Sequence, residues 1–284
     1  MSEQYDLTPF IGREQSAHDI VDPERLIRLA ALLDRSWTPS DAIPPLGHFL
    51  LFRPDERQSN IGPDGHPVRG PDDLLPDIPL PRRMWAGSRI RFERALEPGM
   101  PVFRKSRLEK AVAKRGKGGD LVFCTVAHEI RAGEGGPLLI AEEQDIVYRG
   151  AHTGAEPAKR PSIDPDFTAQ EVHSRVVGPV ELFRYSALTF NAHRIHYDRD
   201  YARDEEGYPA LVVHGPFLAT LLFDHLQNVT RGRRISAFAF RATSPSFDGE
   251  ELVFGATVQG DEAKLSVTNP SGLALTGTAR LADG

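Results

Sequence analysis

The sequence predicts an α+β protein in which helices lie buried against antiparallel strands. Three observations point there. The segment from Pro216 to Val229 is long enough for a helix and apolar on nearly every side, so it must be covered to leave water. Two series of strand-like segments, broken by turns rich in Gly and Pro, supply such a cover. The order of elements then recurs in the second part of the chain, as if one plan were used twice.

In order, Pro23 to Leu33 has apolar residues at Leu26, Ile27, Leu29, Ala30 and Leu33, with Asp22 as a cap and Pro23 in the first turn, and reads as a helix. Phe52 to Pro81 is crowded with Gly, Pro and Asp; a loop this long is often a functional cover. Strands follow at Arg89–Phe92, Val102–Val112, Leu121–Ile130 and Leu138–Tyr148, an antiparallel meander. Residues 151–166, poor in apolar periodicity, read as a linker between a half at 1–150 and a half at 167–284. The second half repeats the scheme: a helical stretch near Phe183, the apolar helix, then strands at Ile235–Arg241, Glu251–Val258, Ala263–Val267 and Leu273–Leu281.

With 284 residues, 40% of them hydrophobic, the chain can bury a large core. Its 34 basic and 40 acidic residues leave a net charge of −6, which argues against nucleic acid or an anionic membrane as partner. Cys124 is the one cysteine, so no intramolecular disulfide forms and a cytoplasmic setting is expected. The first residues carry no targeting pattern, and no apolar stretch is long enough to cross a bilayer.

Two stretches carry chemistry. Asn191, His193, Arg194, His196, Tyr197 and Asp198 crowd polar groups between apolar segments. Val212-Val213-His214-Gly215-Pro216 opens the apolar helix with a Gly-Pro pair and leaves the Gly215 backbone N–H at the positive helix end, where it can hold a polarised carbonyl oxygen.

On these residues the sequence resembles the MaoC-like (R)-specific hydratases and dehydratases, whose motif runs approximately Gly-Asp-x-Asn-Pro-(Ile/Val)-His and is followed by a His-Gly pair opening a helix. The match falls on Asn191 to His196 and on His214-Gly215. Leu188 to Asp198, with Met84-Trp85-Ala86-Gly87-Ser88-Arg89, looks most similar to the branch holding mesaconyl-CoA and itaconyl-CoA hydratases and 3-hydroxyacyl-thioester dehydratases. The resemblance implies a double hot-dog fold, two antiparallel sheets each wrapped around a central helix. It implies an acyl-CoA substrate, a branched C4-dicarboxylyl-CoA, and no cofactor beyond the CoA of that substrate.

The resemblance makes His196 the catalytic histidine and Gly215 the oxyanion donor. Asn191 stands where the wider family has an aspartate; an amide accepts no proton at neutral pH, so Asn191 or His193 is expected to position the water on which His196 acts. Arg194, Tyr197 and His214 complete the substrate-binding set, Arg194 either meeting a substrate carboxylate or pairing with Asp198 or Asp200. The matching part of the first half, Pro44 to Phe49, shows no such cluster, which implies one active site per chain.

Other readings stay open. His193, His196 and His214 could hold a metal, although no helical HExxH pattern or cysteine supports one. The basic run Arg104, Lys105, Arg107, Lys110, Lys114, Arg115, Lys117 reads as the solvated face of a hairpin, with CoA phosphates as the rival partner; Arg231, Arg233 and Arg234 are a weaker phosphate candidate. Cys124 reads as a small core residue, and Ser88 and Ser186 lack a nucleophile elbow. An acyl-CoA thioesterase and a noncatalytic acyl-CoA binding module are the rivals in function. The sequence leaves open whether two chains pair into a homodimer.

Overall fold

A computed structural model describes residues 5–43, 45–116, 119–150 and 167–282. The first half runs β1 (Glu14–Ile20), α1 (Pro23–Leu32), a 3-10 segment (Pro45–Leu50), β2 (Arg82–Phe92), β3 (Pro101–Gly116), β4 (Gly119–Arg131) and β5 (Leu138–Arg149). The second runs β6 (Glu171–Val176), α2 (Pro179–Thr189), α3 (Arg199–Asp204), α4 (Gly215–Val229), β7 (Ile235–Ala242), β8 (Glu251–Gln259), β9 (Glu262–Asn269) and β10 (Gly272–Leu281). The linker expected at 151–166 lies outside the described residues.

Strand order is β1-β3-β4-β5-β2-β7-β10-β9-β8-β6. Each half contributes five strands, and β2 and β7 pair antiparallel, Ile90 opposite Phe238, so that the two sheets meet edge to edge as one. Gly87 makes this close approach possible: a Cβ there would lie 2.3 Å from the Phe240 carbonyl oxygen.

α4 is the buried helix that the sequence demanded. Phe217, Leu222 and Leu226 have no exposed surface, and they share one core with Phe238, Phe254 and Val267 of the sheet. Each such side chain contributes about 1.5–3 kcal/mol on leaving water. Among the described residues of the first half, no helix of comparable length occupies the matching place. The short 3-10 segment stands there, burying Leu46 and Leu50 in the same core, while α1 packs against α2.

Most of the basic run on β3 does face solvent: Lys105 pairs with Glu14 at 2.8 Å and Arg115 with Asp120 at 3.5 Å. Arg104 departs from that reading and turns inward; Lys117 lies outside the described residues. Arg233 pairs with Asp261 at 2.8 Å, and Arg234 reaches the Phe92 carbonyl oxygen at 3.3 Å. Cys124 is buried, and burial pushes its thiol up to about 11, which suits an inert core residue.

Candidate active site

α2 ends on Phe190, whose left-handed φ of 53° turns the chain out of the helix directly before Asn191. The Asn191 side-chain oxygen then accepts from the His193 backbone N–H at 3.0 Å. That bond shapes the turn and fixes the Asn191 side chain beside His193, with a second lone pair of the oxygen and the amide N–H groups still to be used. Tyr197, 47% exposed, donates to the Ala192 carbonyl oxygen at 3.0 Å and braces the same turn from outside.

His196 is buried on a 3-10 turn, and its Nδ1–H donates to the Val212 carbonyl oxygen at 2.7 Å. That bond leaves Nε2 as the basic nitrogen. Burial is the main cause pulling its pKa down to about 4, so the ring is neutral at neutral pH. Against it lies His214, the rings 3.6 Å apart and 20° from parallel. His214 Nε2 meets Ser186 Oγ at 2.8 Å, and burial holds this imidazole well below its ordinary pKa.

His214 is also the N-cap of α4, whose first helical hydrogen bond runs from Leu218 N–H to the His214 carbonyl oxygen at 2.9 Å. Gly215 N–H therefore lies outside the helical ladder at the positive end of a helix of 15 residues. Gly215 sits beside the first half: a Cβ on it would be 3.4 Å from the Trp85 carbonyl oxygen. The histidine expected to act as base and the donor expected for the thioester oxygen thus come from adjoining segments tied by the His196–Val212 bond.

The long loop of the first half closes over this cluster. Arg194 N–H donates to the Asp64 carbonyl oxygen at 2.9 Å, and the Arg194 guanidinium to the Pro63 carbonyl oxygen at 3.0 Å. Gly65, at φ +92°, lies so close that a Cβ would sit 1.8 Å from the Ala192 carbonyl oxygen. This placement brings in two residues that sequence reading missed, Asp64 and His66. His66 Nδ1 meets Asp64 Oδ2 at 2.9 Å, and the His66 ring lies 4.1 Å from that of His193. Burial, then the neighbouring His66 and His196, push His193 down to about 2. The available signal was a carboxylate and an imidazole two positions apart in a Gly/Pro loop, and the same residue types serve as turn formers.

The residues bring together His193, His196, His214 and Gly215 as expected, but Arg194 is placed elsewhere. It pairs with Asp198 at 2.7 Å and stacks over Tyr201 at 4.1 Å, so it fastens the loop instead of facing a substrate carboxylate. Among the described residues, His193, His196 and His214 do not together bring ligand atoms close enough to share a metal. The set among the described residues that does present ligand atoms within 4.8 Å of one another is Asp64, His66 and His193. Its Asp64–His66 pair is already joined by a hydrogen bond, which a cation would have to displace.

A family model described as hydroxyacyl-thioester dehydratase type 2 matches residues 46–248. The chain is 43% identical over 281 residues to the mesaconyl-C(4)-CoA hydratase of Chloroflexus aurantiacus, covering 97% of this chain and 98% of that one. It is 27% identical over 243 residues to the mitochondrial hydroxyacyl-thioester dehydratase type 2 of Schizosaccharomyces pombe, covering 74% of this chain and 76% of the relative. A MaoC-like dehydratase from Phytophthora capsici superposes with a TM-score of 0.71 at 16% identity, over 96% of this chain and 97% of the other, and shares the hot-dog fold.

Proposed function

Because the chain belongs to the hydroxyacyl-thioester dehydratase type 2 family, hydro-lyases that act on thioesters, we propose that it hydrates and dehydrates a C4-dicarboxylyl-CoA such as mesaconyl-CoA or itaconyl-CoA. The observation that carries this reading is the neutral His196 with a fixed tautomer, held next to the N–H end of α4. His196 Nε2 takes a proton from water as the water oxygen bonds to the β-carbon. The displaced electron pair passes to the thioester oxygen, where Gly215 N–H stabilises the enolate by about 3 kcal/mol. The imidazolium then returns a proton to the α-carbon. His193, backed by the Asp64–His66 pair, orients the water.

Water adds across the double bond with no net change of oxidation state, and Gly215 N–H serves the thioester oxygen, so we propose that neither metal nor redox cofactor takes part. Mesaconate or itaconate metabolism in the cytoplasm is the proposed setting. No helix among the described residues is long and apolar enough to cross a membrane. We further propose a homodimer, to be checked by light scattering.

The reading is tested by following enoyl-thioester absorbance on mesaconyl-CoA and itaconyl-CoA with free thiol read in parallel. Absorbance change without thiol release is expected, and His196→Ala should lower kcat by about 1,000-fold. Thiol release in step with the absorbance change would show a thioesterase instead.

A further inference from the structure

A cavity of about 180 Å³ lies mainly in the first half, lined by Phe52, Trp85, Arg104, His128 and Glu142 among others. Its lining includes His48, from the very segment whose sequence showed no cluster; His48 meets Glu142 of β5, far away in the chain, and Ser88 of β2 donates to the same carboxylate. Most polar groups here answer one another. Glu142 accepts from Ser88 Oγ at 2.8 Å and Gln144 Nε2 at 3.2 Å and meets His48 Nε2 at 3.1 Å, while Ser106 Oγ meets His128 Nδ1 at 2.7 Å.

Arg104 is the exception. One face of its guanidinium stacks on Phe52 at 4.6 Å, and Nε is buried with no hydrogen-bond partner. Glu142 and Asp19 act on it only through longer-range charge, and burial weighs against the cation. A desolvated guanidinium with one face stacked keeps its in-plane N–H edge open, and a planar carboxylate is the anion that fits that edge with two parallel bonds.

Two lining residues connect the cavity with the segments around Asn191 and Gly215. Thr189 lines it from the end of α2, two residues before Asn191. The Trp85 side chain lines it too, and the carbonyl oxygen of that same residue lies beside Gly215. Trp85 thus links the Gly215 N–H, expected to hold the thioester oxygen, with the cavity that Arg104 lines.

We propose that Arg104 binds the free carboxylate of the acyl group, making this cavity the subsite that selects dicarboxylyl over monocarboxylyl thioesters. The proposal rests on the hydratase reading above. It also supplies the carboxylate contact that Arg194, held by Asp198, does not make.

Fumaryl-CoA and crotonyl-CoA differ only in a terminal carboxylate against a methyl group. The wild-type ratio of their kcat/KM values should favour fumaryl-CoA, and Arg104→Gln should lower that ratio about 10- to 100-fold, with Arg104→Lys recovering part of it. An unchanged ratio, including an equal loss on both substrates, would overturn the proposal. Calorimetric binding of succinyl-CoA against butyryl-CoA reads the same contact without turnover. A wild-type preference for succinyl-CoA that disappears in Arg104→Gln supports the subsite even if no hydration is found; no preference in the wild type overturns it even if hydration is found.

Discussion

Two imidazole rings lying face to face 3.6 Å apart cannot both carry charge away from water, and this sets the proton chemistry around His196. Burial lowers His196 to about 4, His193 to about 2 and His214 further than its ordinary range. The basic form of His196 therefore persists as pH falls. The kcat/KM profile should stay flat from pH 8 to about 5 and lose activity near pH 4, where the ring takes a proton. An acid limb near the pKa of a free imidazole, about 6.5, would show a solvated ring and sink the assignment. Stability has the same sign: below about pH 6.5 the unfolded chain binds protons that the folded chain refuses, so folding weakens as pH drops from there towards 4. The urea midpoint measured between pH 7.5 and 4.5 should fall, and a constant midpoint would contradict the burial. His196, His214 and Gly215 stood out in the sequence through two separate motifs that resemble those of a known family, and folding sets the two motifs side by side. Asp64 and His66 did not, because only folding brings them to His193.

Elements were read well where apolar residues repeat and poorly where they do not. α1, α4 and the long central strands announce themselves by buried faces. β1 and β6 went unread because both are sheet edges and mostly exposed, Glu-Gln-Ser-Ala-His-Asp-Ile and Glu-Val-His-Ser-Arg-Val, without an apolar face to alternate. The long loop was read as a cover, and it does cover the motif, but its grip depends on Gly65. Gly65→Ala would push a methyl group into the Ala192 carbonyl and strain a φ of +92°. Its cost, about 1–3 kcal/mol locally, should displace the loop from His193 and lower kcat/KM about 10-fold with the circular dichroism spectrum kept. Wild-type kinetics in this variant would show that the loop does not order the site.

At the scale of the molecule the halves are joined by charge as well as by strands. Arg82 on β2 and Glu206 after α3 are both buried and pair at 3.0 Å, with Tyr208 stacked on the guanidinium at 4.6 Å. Glu206→Ala would leave a buried cation without its partner and should cost about 3–5 kcal/mol in denaturant unfolding, whereas Arg82→Met with Glu206→Leu should recover most of it. A loss below 1 kcal/mol in the single variant would mean that water reaches the pair.

The pairing of β2 with β7 makes each five-stranded sheet the other's edge cap. A chain severed between the halves would expose two long unpaired strands, and each fragment alone would tend to stick to its own copies. Mixed together, the fragments have a better partner than themselves. The loop over His193 and the carbonyl beside Gly215 both belong to the first fragment, so hydratase activity would return only as the two fragments recombine.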